Sequence, residues 1–257
     1  MTAEQNLSLS FAREILAIGR DRLCPADRDQ VRYLLFDCLG VSRVGATLAW
    51  TKAMAEWARR FRGSGKAPIV GTGLEVAPSI AALINGTAAH GYELDDTHDA
   101  SMSHPGAVVI PAATAVTAEI GTSADKLMAA IASGYEAMTR VGVAAHAHQV
   151  IQDGYHPTAL FRGFGAAAAA ACLLNLDEHG LARAWAMSCH LRAAQCSSRT
   201  SARVRRSSGF MRAMRHRTVC WQPSWLNTEL VHPHARSTAG GASWLSMRRA
   251  RALMRCR

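Results

Sequence analysis

A stretch rich in carboxylates and imidazoles lies at residues 91–106 and reads GYELDDTHDASMSHPG. Its carboxylate and imidazole side chains are Glu93, Asp95, Asp96, His98, Asp99 and His104. Such groups, held close together, repel one another, share protons or bind a cation, and each outcome perturbs their pKa values. Their spacing therefore indicates a reactive site but does not choose between these kinds of chemistry.

Three interpretations of this stretch remain open from the residues alone. A metal site would draw its ligands from Asp95, Asp96, His98 and His104, although no HExxH or DxDxDG order supports it. A solvated acidic loop is the second interpretation. The third is the acid/base centre of an enzyme. The last is favoured because an apolar helix precedes the stretch and the apolar run GAVVIPAATAV follows it, so the charges are held between packed elements.

A second segment, DGYHPTALFRGFG at residues 153–165, places His156 at the start of a predicted helix. Free backbone N–H groups and the positive end of the helix dipole favour a bound carboxylate at such a position. A histidine there also serves commonly as a capping or core residue. Two such segments in one chain nevertheless strengthen the enzyme interpretation.

The elements that would position these segments are helical. Apolar residues recur at helical spacing from Val31 to Leu39, and Pro25 stands where a helix can begin. A short β-like run at residues 67–73 is an exception. We expect one all-α domain over residues 1–188. Its further predicted helices lie at about 78–92, 107–120, 122–146 and from Thr158 through an alanine-rich run.

The composition is typical of a globular protein: 257 residues, of which 49% are hydrophobic and 19% are charged. The longest apolar run falls short of the roughly 18 residues that span a bilayer. The first residues lack the pattern of a signal peptide, so a cytoplasmic location is predicted. The seven cysteines form no CxxC pair, and neither a structural metal nor a redox motif is indicated.

Two segments closely resemble the MmgE/PrpD family, which includes 2-methylcitrate dehydratase and cis-aconitate decarboxylase: INGTAAHGYELDDTHDASMSHPGAVVIPAATAVTAE and GYHPTALFRGFGAAAAAACLLNLD. The run VRYLLFDCLGVSRVGA and the VGTG turn are similar to that family too, so the resemblance covers about residues 5–188. It implies a large all-α domain, with the family's smaller α/β domain missing here. It also implies a homodimer and a site without metal or cofactor.

By that resemblance, the predicted catalytic residues are Asp95, His104 and His156, and the predicted substrate-binding residues are Glu93, Asp96, Thr97, Tyr155 and Thr158. The implied substrate is a small tricarboxylate. The first predicted reaction is metal-independent dehydration, as in 2-methylcitrate dehydratase, and the alternative is decarboxylation, as in cis-aconitate decarboxylase. Both reactions need groups that bind carboxylates and transfer protons to or from carbon or oxygen.

Basic residues are concentrated after residue 188. Between Cys189 and Arg257 there are 14 arginines, no lysine and one acid, Glu229, so the net charge of +10 belongs to this part. We predict a basic tail of irregular structure over residues 189–257. Clustered arginine can bind phosphates, which makes a nucleic-acid-binding protein the rival class. The absence of a recognised binding motif in the tail disfavours it.

A shift of reading frame near residue 188 would explain the change in composition. Suitable codons for residues 209–225 read FHAGYAAPNGVLAAEL in the shifted frame, which is similar to the family sequence at that point. The family's Lys-Arg-x-His-x-Gly motif has no counterpart in this chain, and a lysine is a natural partner for substrate carboxylates. We therefore expect impaired catalysis, with a non-catalytic remnant as an alternative; the gene sequence tests the shift.

Overall fold

The computed structural model of the chain describes residues 7–20, 23–61 and 63–199, with side chains as far as residue 190. These residues form nine α-helices, one short 3-10 helix and an antiparallel hairpin. None of these helices is long and apolar enough to cross a bilayer. The hairpin strands are β1 (Ala67–Ile69) and β2 (Leu74–Val76). The helices are α1 (Leu7–Arg20), α2 (Pro25–Gly45), α3 (Ala49–Phe61), α4 (Pro78–Ala89), α5 (Gly106–Ile120), α6 (Ala124–Ala144), α7 (Ala147–Gln152), α8 (Pro157–Leu173) and α9 (Glu178–Arg199).

Helix α6 is the centre of the core. It packs against α8, α1 and α5, and its buried residues run from Met128 to Gly142 with one break at Arg140. Small residues permit this close packing: a Cβ added at Gly134 would lie 2.9 Å from the carbonyl oxygen of Gly165 on α8. The alanine-rich sequence of α8 thus serves close helix contact.

The predicted all-α domain is confirmed for the described residues, and the β-like run corresponds to the hairpin of β1 and β2. Two local expectations differ from the structure. Leu39 is 44% exposed, because the buried side of α2 is narrower than its apolar spacing indicates. Helix α6 is capped by Ser123, whose hydroxyl accepts from the N–H of Lys126, whereas the sequence suggested a start near Thr122.

Helix α9 passes the boundary predicted at residue 188 and continues to Arg199. The rest of the predicted basic tail, residues 200–257, lies outside the described residues. The domain boundary, the irregular structure of the tail and its reading frame stay predictions.

Three helix ends surround the loop of residues 91–105. His90 is the C-cap of α4, His104 precedes the first residue of α5 by two positions, and His156 is the N-cap of α8. A short 3-10 turn, Asp99–Ser101, folds the middle of the loop. The helix packing therefore brings together histidines that come from distant parts of the chain.

Candidate active site

Asp95 lies at the centre of a group of imidazoles. Both of its carboxylate oxygens are 3.1 Å from Nδ1 of His90, and Oδ1 is 3.5 Å from Nδ1 of His104. The Asp95 side chain is 1% exposed, whereas those of His90 and His104 are 27% and 22% exposed. A buried carboxylate requires hydrogen bonds or opposite charge. His90 supplies the hydrogen bond to Asp95, and both rings turn their Nδ1 atoms towards its carboxylate.

A third imidazole completes the group. The ring centroid of His156 is 5.7 Å from that of His90, and the His90 centroid is 4.7 Å from that of His104. The ring of His90 is therefore a direct neighbour of both histidines that were predicted to be catalytic. We call the set of His90, Asp95, His104 and His156 the histidine cluster.

Thr158 connects the loop of residues 91–105 to α8. Its buried hydroxyl accepts a hydrogen bond of 2.9 Å from the backbone N–H of His104. Thr158 lies two residues after His156, which is the N-cap of α8. The bond to Thr158 therefore holds His104 close to the start of that helix. The structure thus gives Thr158 a supporting contact, while its predicted contact with substrate stays a prediction.

The hydrogen bonds made by Nδ1 distinguish His156 from His90. Nδ1 of His156 accepts from the backbone N–H of Ala159 at 3.4 Å, so the neutral His156 ring carries its proton on Nε2 and can donate it there. Nδ1 of His90 instead donates to the carboxylate of Asp95, which makes Nε2 an acceptor whenever the His90 ring is neutral. The cluster therefore presents both a donor and an acceptor nitrogen.

Asp96, the neighbour of Asp95, points into the protein. Its Oδ1 accepts from the N–H of Gly106 at 2.9 Å, and its Oδ2 accepts from the hydroxyl of Tyr135 at 2.8 Å. Burial raises the pKa of the Asp96 carboxyl, and the two hydrogen bonds act in the opposite direction. This carboxylate thus ties the loop to α5 and α6. Its predicted role in substrate binding stays a prediction.

The other predicted substrate-binding residues lie beside the cluster. Glu93 is exposed, and its charge favours higher pKa values for His90 and His156. Thr97 is also exposed, and Tyr155 is half-buried directly before His156. Their contacts with a substrate stay predictions.

The residues named by the metal interpretation do not all come together. Nδ1 of His98 lies 2.8 Å from the hydroxyl of Ser101, and Asp96 binds protein donors. In the part of the chain that the structure describes, a different set has ligand atoms within 4.8 Å of one another: His90, Asp95 and His104. Zinc accepts such ligands. The same distances suit a carboxylate beside two imidazoles, and the family resemblance implies a site without metal, which stays a prediction.

The electrostatics of the cluster differ between its rings. Hydrogen bonding to Asp95 raises the pKa of His90, although burial acts against this. Burial lowers the pKa of His156, and repulsion from His90 and His104 lowers it further. A ring that favours the protonated state therefore lies next to one that favours the neutral state. Acid/base catalysis can use such a pair, with one ring as the acid and the other as the base.

Sequence reasoning did not identify His90 as a site residue. A signal was present, because His90 directly follows the apolar sequence of α4 and precedes Asp95 by five positions. A lone histidine at a helix end is nevertheless ordinary. Its importance depends on the ring of His156, which only the tertiary structure brings next to it.

Comparison with known proteins gives one family and several relatives. The family model described as MmgE/PrpD N-terminal domain matches residues 10–213, which extends past the boundary predicted near residue 188. Cis-aconitate decarboxylase of Aspergillus terreus is 29% identical over 167 residues, covering 63% of this chain and 34% of that protein. Cis-aconitate decarboxylase-like protein oryM of Aspergillus oryzae is 28% identical over 174 residues, covering 64% and 36%.

Cis-aconitate decarboxylase of Homo sapiens is 25% identical over 180 residues, covering 68% of this chain and 37% of that protein. The chain thus spans about a third of the length of the curated relatives that it matches. The matched part includes both segments that carry the histidine cluster.

Proposed function

The chain belongs to the MmgE/PrpD family, and from this premise we propose that the histidine cluster is the proton-transfer part of a lyase site for a small tricarboxylate. The observation that carries the proposal is the placement of three imidazoles around the buried carboxylate of Asp95. Imidazole binds carboxylates when protonated and transfers protons near neutral pH. A lyase that acts on such acids needs both properties.

Decarboxylation of a cis-aconitate-type acid is the reaction we propose first, and the names of the relatives support it. Loss of carbon dioxide leaves a carbanion, which must then receive a proton. The carboxylates of a bound substrate favour a protonated imidazole, and His104 or His156 in that state is a suitable donor, because the ring becomes neutral when it gives up the proton. We therefore assign proton transfer to these two residues.

Dehydration of 2-methylcitrate, the first reaction that the family resemblance implies, is the second candidate. That reaction removes a proton from the carbon beside a carboxylate and protonates a departing hydroxyl. An unprotonated ring nitrogen of the cluster would act as the base. Because this chain lacks a counterpart of the family's lysine motif, we propose that it binds the acid more effectively than it converts it.

Replacing His104 or His156 with alanine is expected to weaken tricarboxylate binding about tenfold or more. Each change removes a ring that can make a charge-assisted hydrogen bond, worth about 1.5–3 kcal/mol. Isothermal titration of the purified chain with cis-aconitate and with 2-methylcitrate, at about pH 6.5, measures the affinities. Product formation is followed in the same samples.

Two variants serve as matched controls for that titration. His148→Ala and His179→Ala each remove an exposed imidazole outside the cluster, and both are expected to bind like the wild type. Prior dialysis against EDTA is expected to leave binding unchanged, since the predicted site is metal-free. The proposal is wrong if the wild type binds neither acid, or if both cluster variants bind as tightly as the wild type.

We also propose that the chain forms a homodimer, as the family resemblance implies, through the exposed side of α2. Tyr33 and Phe36 are 72% and 79% exposed there, and Val44 lies on the same side two turns further on. Phe36→Glu is expected to raise the dimer dissociation constant about tenfold or more by placing a charge in the interface. Sedimentation equilibrium measures this.

The matched control for the dimer experiment is Leu174→Glu, which introduces the same charge at an exposed apolar residue after α8. It is expected to leave the dissociation constant unchanged. A monomeric wild type would contradict the proposed dimer. An equal effect of both substitutions would contradict the assignment of the interface to α2.

A further inference from the structure

The three histidines of the cluster lie at helix ends of opposite polarity. His90 is the C-cap of α4, where the partial negative charge of the helix favours a cation. His156 is the N-cap of α8, and His104 lies just before the start of α5. The partial positive charge of a helix start disfavours a cation. The backbone therefore favours a proton on His90 over a proton on His156.

Asp95 favours the same ring. Both of its oxygens are 3.1 Å from Nδ1 of His90, whereas the nearer distance to His104 Nδ1 is 3.5 Å. Nδ1 of His104 is buried and has no hydrogen-bond partner among the described residues. A carboxylate stabilises an imidazolium most when it accepts a short charge-assisted hydrogen bond from it. Asp95 makes that bond to His90.

We infer that His90 is the cationic member of the histidine cluster and is a positioning residue for the other two rings. Their centroids are 4.7 Å and 5.7 Å from that of His90, so its charge opposes a second proton on either neighbour. The titratable groups that face His90 are Glu93, Asp95, His104 and His156. The two carboxylates favour its charge, and the two rings are the groups that this charge repels.

The electrostatic effects within the cluster support this assignment. Asp95 raises the pKa of His90, and the charge of His90 contributes to lowering the pKa of His156. For ligand binding, His90 would supply positive charge that attracts a substrate carboxylate, while His156 stays a neutral donor at Nε2. That consequence rests on the proposed lyase function, whereas the position of the proton does not.

The inference is tested by nuclear magnetic resonance titration of the histidine rings in the full chain, without ligand. The ring of His90 is expected to titrate at a higher pH than that of His156. In His90→Asn, the amide N–H can still donate to Asp95 but carries no charge, so the pKa of His156 is expected to rise. His148→Asn, at an exposed position on α7, is expected to leave the pKa of His156 unchanged.

A His156 ring that titrates above His90 in the wild type would overturn the inference, even if the His90→Asn variant did not fold. An unchanged pKa of His156 in a folded His90→Asn variant would overturn it as well. Tricarboxylate affinity is expected to fall about tenfold or more in His90→Asn. If the order of titration holds but the wild type binds no tricarboxylate, the proposed function is wrong and the charge assignment stands.

Discussion

Replacing Gly106 with alanine is expected to lower the free energy of unfolding by about 3 kcal/mol and to weaken tricarboxylate binding. Gly106 is the first residue of α5, and its N–H donates to Oδ1 of Asp96. A Cβ at this position would overlap that oxygen and would lie 2.8 Å from the hydroxyl oxygen of Tyr135. The start of α5 or the carboxylate of Asp96 would therefore have to move.

Neither movement is easy for the protein. If Asp96 turns away, the buried hydroxyl of Tyr135 and the N–H of Gly106 lose their acceptor, and unpaired buried polar groups are costly. If α5 moves instead, His104 moves with it, because only Pro105 separates His104 from the helix. The substitution is therefore expected to affect the histidine cluster as well as the stability of the fold.

Urea denaturation of the wild type and the Gly106→Ala variant measures the change in stability. Gly40→Ala is the matched control, since Gly40 is an exposed position on α2 where a Cβ would meet nothing within 4 Å. Because Gly40 lies one turn from Phe36 on the proposed dimer side, all variants are compared at a protein concentration that keeps the chain monomeric. Alanine is the better helix former, so this control is expected to gain up to about 1 kcal/mol. Equal stability of Gly106→Ala and the wild type would mean that Asp96 does not hold the start of α5 as described.

The helices could be predicted from the sequence because local spacing determines them. Apolar periodicity and Pro25 indicated α2, and the run of alanines indicated α8. The narrower buried side of α2, with Leu39 exposed, could not be predicted. It depends on which helices pack against α2, and that is a tertiary property.

The candidate site was predictable in its residue types but not in its partners. Asp95 and Asp96 are adjacent and identical in type, yet one pairs with imidazoles and the other with Tyr135, 39 positions further along the chain. Nothing in the local sequence distinguishes them, since the difference depends on which side of the loop faces α6. His90 could not be identified as a site residue for the same reason, because its neighbour His156 belongs to α8.

Replacing Asp95 with asparagine is expected to weaken tricarboxylate binding about tenfold or more and to lower the free energy of unfolding by about 1–2 kcal/mol. Asparagine keeps an oxygen that can accept from Nδ1 of His90. It lacks the charge that stabilises the protonated ring, so His90 would lose its proton at a lower pH. The cluster would then offer less positive charge to a substrate carboxylate.

The loss of stability is expected to depend on pH with a defined sign. Asp95 raises the pKa of His90 from its ordinary value of 6.5. The pair therefore contributes its full stabilisation below about pH 6.5 and loses it as the pH rises through the raised pKa. The lowered pKa of His156 makes a pH-dependent contribution of the opposite sign to stability. Its main cause is burial, which the wild type and Asp95→Asn share. That contribution therefore largely cancels when the stabilities of the two proteins are subtracted.

Urea denaturation at about pH 6 and about pH 8.5 measures this difference between the wild type and Asp95→Asn. The difference between the two free energies of unfolding is expected to be larger at the lower pH. Asp99→Asn, an exposed change in the same loop, is the matched control and is expected to show little loss of stability at either pH. A gap that is constant or that grows with pH would show that Asp95 stabilises the fold without pairing to a protonated His90, because only such a pair weakens as the ring loses its proton.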